Sequence, residues 1–121
     1  MTSPDDLLRF IGSSFRSVWA LEVLLVLKKE PRQWTHAELV SNMRASELVI
    51  SRALDALLAA GLVSIEGEGA RYMPVNGSVA ECVEEVEKLY AARPDAVRRA
   101  IVSPSASAAA AFADAFRLRK D

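Results

Sequence analysis

The sequence predicts one mainly α-helical domain carrying a small β-hairpin, on three observations. Apolar residues recur every three or four positions in several stretches that open on capping residues and close on glycine or proline. Midway along the chain the period shortens to that of strands, on either side of Glu66-Gly67-Glu68-Gly69. A length of 121 residues, 51% of them hydrophobic and 26% charged, suits one core and is short for two. The expected organisation is a single domain over residues 1–121, with its core at about 15–77 and extra terminal helices at 3–14 and 78–118.

The first helix opens at Ser3-Pro4-Asp5-Asp6. Serine caps, proline suits the first turn because its missing N–H would be unpaired there, and two acids face the positive helix end. Leu7, Leu8, Ile11 and Phe15 follow at helical spacing, and Gly12-Ser13-Ser14 reads as a kink or break. The next helix is expected from about 15 to 29, with Lys28-Lys29 at its negative end and Pro31 as its stop.

Thr35-His36-Ala37-Glu38 has the form of a capping box, in which Thr35 and Glu38 satisfy free backbone N–H groups reciprocally. It opens a short helix through Met43, and Arg44-Ala45-Ser46 separates that helix from the next, at 47–60. Helices joined this tightly cross steeply, which is helix-turn-helix geometry. Gly61 is expected to end the second one in the left-handed conformation. Strands at 62–65 and 70–75 then form the hairpin. Ser78-Val79-Ala80-Glu81 reads as a second capping box, opening a helix whose stripe of Val79, Cys82, Val83, Val86, Leu89 and Tyr90 faces away from Glu81, Glu84, Glu85 and Lys88. Arg93-Pro94 interrupts, a short helix follows at 95–102, and a last one runs from Ser103-Pro104 to about Leu118.

Helix, helix, helix, two-stranded hairpin, helix is the order of a winged helix domain. The run Ile50-Ser51-Arg52-Ala53-Leu54-Asp55-Ala56-Leu57-Leu58-Ala59-Ala60-Gly61-Leu62-Val63 resembles the V/I-S-R-x-L-x-x-L-x-x-x-G-L-V stretch of MarR-type and ArsR-type transcriptional regulators. The likeness covers about a third of the chain, residues 35–75. Much of it is a folding signature: Ile50, Leu54, Leu57 and Leu58 are expected on the packing face, and Leu62 and Val63 seal the hairpin, or wing, against the core.

The resemblance implies a homodimer that binds double-stranded DNA sequence-specifically, with helix 47–60 in the major groove and the wing beside a phosphate strand. On that reading Ser46, Glu47, Ser51 and Arg52 face the bases and nearby phosphates, Thr35 and its helix end hold a phosphate, and Arg71 is the wing's basic contact. Phe112 and Phe116 on the last helix, with the Val79–Tyr90 stripe, offer apolar surface for a dimer or for folding back on the monomer's core.

Other features favour a second reading, a winged helix that contacts another protein instead of DNA. Leu48 and Val49 occupy the leading turn, where polar readers are more usual, and Glu66 and Glu68 at the wing tip repel phosphate. Across 35–75, Arg44, Arg52 and Arg71 stand against Glu38, Glu47, Asp55, Glu66 and Glu68, three positive charges to five negative. The formal net charge is −1, so overall basicity gives no support to nucleic-acid binding. Arg93, Arg98, Arg99, Arg117, Arg119 and Lys120 form a basic C-terminal quarter, read as solvated helix faces or as a tail that supplements DNA contacts or docks an acidic partner.

One cysteine, Cys82, and one histidine, His36, lie far apart in sequence, which argues against a thiolate or imidazole metal site within one chain. His36 at a helix start is expected to be structural, and Cys82 to pack as a small hydrophobe. Gly67 and Gly69 sit in a hairpin with no following lysine, so they make no phosphate-binding loop, and no nucleophile motif suggests an enzyme or a cofactor. The opening lacks the basic start and small-residue cleavage site of a signal peptide, and the longest apolar stretch, 18–27, is about half a bilayer span and contains Glu22. The expected location is the cytoplasm.

Overall fold

The structure, a computed structural model, describes residues 3–102. Six helices and three strands follow one another in the described residues: α1 (Pro4–Ser14), α2 (Val18–Lys29), β1 (Trp34–Thr35), α3 (His36–Met43), α4 (Glu47–Ala59), β2 (Val63–Glu66), β3 (Gly69–Tyr72), α5 (Gly77–Ala92) and α6 (Pro94–Val102). The helix expected from Ser103 to about Leu118, with Phe112 and Phe116, lies outside the described residues, as do Arg117, Arg119 and Lys120. No single helix among the described residues is long and apolar enough to cross a membrane, and α1 and α2 are bent by 100°.

Local chemistry sets most helix ends. Ser3 Oγ accepts the Asp6 N–H at 3.1 Å, with Pro4 in the first turn of α1. The break foreseen at Gly12-Ser13-Ser14 falls later: α1 runs through Gly12 to Ser14, and the chain turns at Phe15-Arg16-Ser17. The later break lets Phe15 leave the helix in an extended conformation and bury its ring, while Ser17 supplies a cap by accepting the Ala20 N–H at 3.2 Å. Gly12 is exposed and costs α1 only helix propensity. A similar correction applies to α5. Its cap is Asn76, whose Oδ1 accepts the Val79 N–H at 2.9 Å, and Ser78 lies inside the helix, so the second capping box does not form.

Helix α4 ends on the paired bonds of a Schellman motif. The Leu62 N–H donates to the Leu57 carbonyl at 3.0 Å and the Gly61 N–H to the Leu58 carbonyl at 3.1 Å, with Gly61 left-handed at φ 76°. Leu57 and Leu62 are both buried, the apolar contact that accompanies this cap. Leu58, expected on the packing face, is 47% exposed. At 100° per residue it stands well round the helix from Ile50 and Leu57, whereas the buried Ala53 occupies the core side.

Strand β1 was not foreseen, because two residues carry no periodicity. It pairs antiparallel with β3, which pairs antiparallel with β2, giving a three-stranded sheet of order β1-β3-β2. Gly67, at φ 60°, opens the two-residue loop between Glu66 and Gly69, as a type II′ hairpin turn requires. Strand β3 stops at Tyr72, short of the expected Val75, but Met73 and Val75 still donate to the Leu62 and Gly61 carbonyls.

One hydrophobic core takes residues from all six helices and from the sheet, including Leu7, Leu24, Leu39, Ile50, Val63, Leu89 and Val97. The inward part of the Val79–Tyr90 stripe, Val83, Val86 and Leu89, is therefore buried within the chain. Three polar contacts among the described residues join α5 to α2. Lys28 Nζ lies 3.0 Å from Glu84 Oε1 and 2.6 Å from Glu87 Oε1, and the Tyr90 hydroxyl donates to Glu22 Oε1 at 2.5 Å.

Candidate functional site

The linker between α3 and α4 is three residues long, and its shape is fixed by Arg44, which takes the left-handed conformation at φ 53°. The Ala45 N–H returns to the Val40 carbonyl at 3.2 Å, closing the end of α3. Ser46 then caps α4, its Oγ accepting the Val49 N–H at 3.1 Å. His36 fixes the two helices from the other end. Its Nε2 lies 3.1 Å from the Glu47 carbonyl oxygen, to which it donates in the Nε2-protonated tautomer.

Ile50, Ala53, Leu54 and Leu57 turn the inner face of α4 into the core. The outer face presents Glu47, Leu48, Arg52 and Asp55 to solvent, with Ser51 half-buried between the faces and Leu48 57% exposed. On one flank, Thr35, His36, Glu47 and Ser51 join the hairpin residues Ile65 and Glu68 around a groove of about 510 Å³. On the other flank a separate depression of about 450 Å³ is lined by Arg52 together with Arg16 and Ser17 from the α1–α2 turn. Asp55 lines both.

The expected contact residues are thus divided among several surfaces. Thr35, Glu47 and Ser51 share the hairpin groove, and Ser46 is exposed at the start of α4. Arg52 is on the opposite flank. Arg71 stands on the far face of the sheet, because the register pairs Ile65 with Ala70 on the groove side and Ser64 with Arg71 on the other. Arg52 makes no ion pair with Asp55 or Glu47, so its guanidinium is not held on its own helix.

The electrostatics of the two flanks differ. The charged side chains lining the hairpin groove are Glu47, Asp55 and Glu68, and none of its lining residues is lysine or arginine. At the start of α3 the capping box is complete: Thr35 Oγ1 accepts the Glu38 N–H at 3.1 Å, and Glu38 Oε1 accepts the Thr35 N–H at 2.9 Å. Glu38 also pairs with Arg32 at 3.3 Å, and the Arg32 guanidinium stacks 3.8 Å over the Trp34 ring. The Thr35 N–H, and then Arg32, hold the Glu38 carboxyl below its ordinary value. A carboxylate therefore already occupies the helix end where a phosphate was expected.

Two residues and one contact escaped the sequence reading. Arg16 lies outside the recognisable motif and only the break at Phe15-Arg16-Ser17 brings it beside Arg52. Arg32 follows Pro31 without a helical partner to mark it, and the bond from His36 to Glu47 joins two helices whose crossing no periodicity specifies. Cys82 is half-buried on α5, and among the described residues no group of three or more His, Cys, Asp or Glu side chains gathers in metal-binding proximity. No family model, curated protein or solved structure matches the chain.

Proposed function

We propose that this chain is a winged helix-turn-helix transcriptional regulator that binds double-stranded DNA sequence-specifically as a homodimer in the cytoplasm, and that it works by binding, without catalysis or a cofactor. Helices α3 and α4 are the helix-turn-helix, α4 is the recognition helix, and β2 with β3 is the wing. The observation that carries the reading is the state of α4: its inner face is core, whereas Leu48 and Arg52 project outward with no interior duty. A helix held rigidly behind a tight turn, with its leading turns exposed, has the shape that enters a major groove.

In that groove Glu47 accepts from a cytosine amino group, Ser51 donates to a base or phosphate, and Leu48 covers a thymine methyl group. Ser46, at the helix start, sits where a phosphate passes. Because Val83, Val86 and Leu89 are spent on the monomer's core, dimerisation draws on what the core leaves exposed, including Val75 and Val102. Two copies double the phosphate contacts and read two half-sites.

The test is selection of bound fragments from random duplex DNA by the purified chain, followed by salt titration of the winners. A motif with two-fold symmetry and steep salt dependence supports the reading. No enrichment at low salt overturns it.

A second reading, a winged helix that docks on another protein, is favoured by one observation. Leu48 and Leu58 are 57% and 47% exposed on the same helix that carries the acidic residues Glu47 and Asp55. Exposed leucines at the two ends of a helix that also carries carboxylates suit a basic, amphipathic partner segment better than phosphate.

A further inference from the structure

Resting on the DNA-binding reading, we infer that Arg16 and Arg52 together hold the sugar-phosphate backbone of duplex DNA on the flank of α4 away from the hairpin. Arg52 is then an affinity contact, not a reader of bases. Both arginines line one depression of about 450 Å³, although they come from elements 36 positions apart in sequence. Arg32, Arg98 and Lys28 are each held by carboxylates. Among the described residues Arg16 and Arg52 have none within ion-pair distance, and Asp55, which also lines the depression, pairs with neither. A bound anion would meet two guanidinium groups lining one concavity, neither of them paired with a carboxylate among the described residues.

The third polar group fits the same ligand. Ser17 Oγ accepts the Ala20 N–H, which leaves its own hydroxyl proton free to donate outward. A phosphodiester offers acceptor oxygens to all three donors, whereas Asp55 in the same hollow disfavours a ligand of higher negative charge. Position points to the same partner. Arg52 is one residue beyond Ser51 and four beyond Leu48, so a strand bordering a groove filled by Glu47, Leu48 and Ser51 passes this flank. The other flank, with Glu47, Asp55 and Glu68, repels it.

The experiment measures binding of the wild type, Arg16→Ala, Arg16→Lys and Arg52→Ala to a selected duplex and to its scrambled counterpart between 50 and 200 mM salt. Each alanine variant should lose affinity for both duplexes by the same factor. The wild type's advantage over it should shrink about 3.5-fold across that salt range, which corresponds to one phosphate contact fewer. Arg16→Lys should keep the wild-type salt slope. If the wild type binds neither duplex, the DNA-binding reading falls and this inference with it. Where the wild type binds, unchanged affinity of Arg16→Ala overturns the arginine pair alone. So does a loss with unaltered salt slope, or a loss confined to the selected duplex, which would make the residue structural or a base reader. Helical circular dichroism of each variant checks folding, and both side chains are exposed.

Discussion

Two left-handed residues flank α4, and replacing each should change stability in opposite directions. Gly61 ends α4 at φ 76°, and Arg44 makes the turn before it at φ 53°. An L-residue in this region costs about 1–2 kcal/mol relative to a right-handed one. In Gly61→Ala that cost is imposed, and the narrower unfolded ensemble of alanine returns about 0.4–1 kcal/mol of it. The new Cβ would also lie 3.3 Å from Val75 Cγ1, a tight contact that the exposed valine relieves by shifting slightly. The net expectation is a loss of about 1 kcal/mol, or roughly 3–5 °C in melting temperature for a chain of this size. Arg44→Gly removes the same steric cost from an exposed residue and gives back part of it as glycine's larger unfolded-state entropy. It should therefore stabilise by about 0.5–1 kcal/mol. Urea and thermal melts followed by far-ultraviolet circular dichroism measure both. A neutral or stabilising Gly61→Ala, or an Arg44→Gly that destabilises, would refute the assignment of local strain at these two ends.

Gly12→Ala should stabilise by about 0.5–1 kcal/mol, since Gly12 is inside α1 and its added Cβ meets nothing within 4 Å; a loss of stability would return the helix break to Gly12. Lys28→Met should cost about 1 kcal/mol by leaving Glu84 and Glu87 without their shared cation, a figure reduced by their partial exposure. Glu87 most, against partial burial, raises the Lys28 pKa above its ordinary 10.5, so its contribution is complete below that value and is lost as pH rises through the higher folded one. The stability difference between wild type and Lys28→Met should accordingly be flat from pH 7 to 9 and narrow at strongly alkaline pH; a difference that grows there contradicts the ion-pair origin. Tyr90→Phe should cost about 1–2 kcal/mol through loss of the bond to Glu22. Burial first, and then Glu22, raises the Tyr90 phenol above 10.0, so ultraviolet titration of Glu22→Gln should move that midpoint down, and an unmoved midpoint counts against the contact.

How much was legible in the sequence follows from which interactions are local. The caps at Ser3 and Thr35 and the left-handed Gly61 each depend on residues within a few positions, and each is present in the structure. The hairpin turn is equally local, set by Gly67. The start of α5 illustrates the limit of the same logic. Ser78-Val79-Ala80-Glu81 has the spacing of a capping box, but Asn76, two residues earlier, caps first, and the serine is taken into the helix. The break near Gly12 was misplaced because burial of Phe15 and the cap at Ser17 outweigh glycine's weak helix propensity. Strand β1 is a tertiary product, since Trp34 and Thr35 become a strand only by pairing with Ala70 and Gly69. The candidate contacts were legible as residues but not as a surface. Thr35 and Ser51 line one hairpin groove, whereas Arg52 lines a separate depression with Arg16 of the α1–α2 turn, and strand register sends Arg71 to the far side of the sheet.

That division changes where affinity for DNA would come from. Three positive charges against five negative across residues 35–75 leave little basis for phosphate binding when they are treated as one surface. Treated as two flanks, the acids Glu47 and Glu68 gather beside the hairpin and the arginines 16 and 52 beside the α1–α2 turn, with Asp55 bordering both. Glu47 and Arg52, about 140° apart round a helix about 10 Å thick, are separated by roughly one screening length at physiological salt, so each acts on a nearby strand largely by its own sign, while Asp55 weakens the arginine flank. A duplex that follows α4 would settle toward the arginines and leave the acidic hairpin tip away from phosphate. The hairpin would then limit orientation by repulsion, with α4 and the α1–α2 turn supplying attraction. On the proposed function, so few cations on each copy would make a second copy the means of reaching useful affinity, and would place oligomerisation and DNA recognition under the same electrostatic constraint.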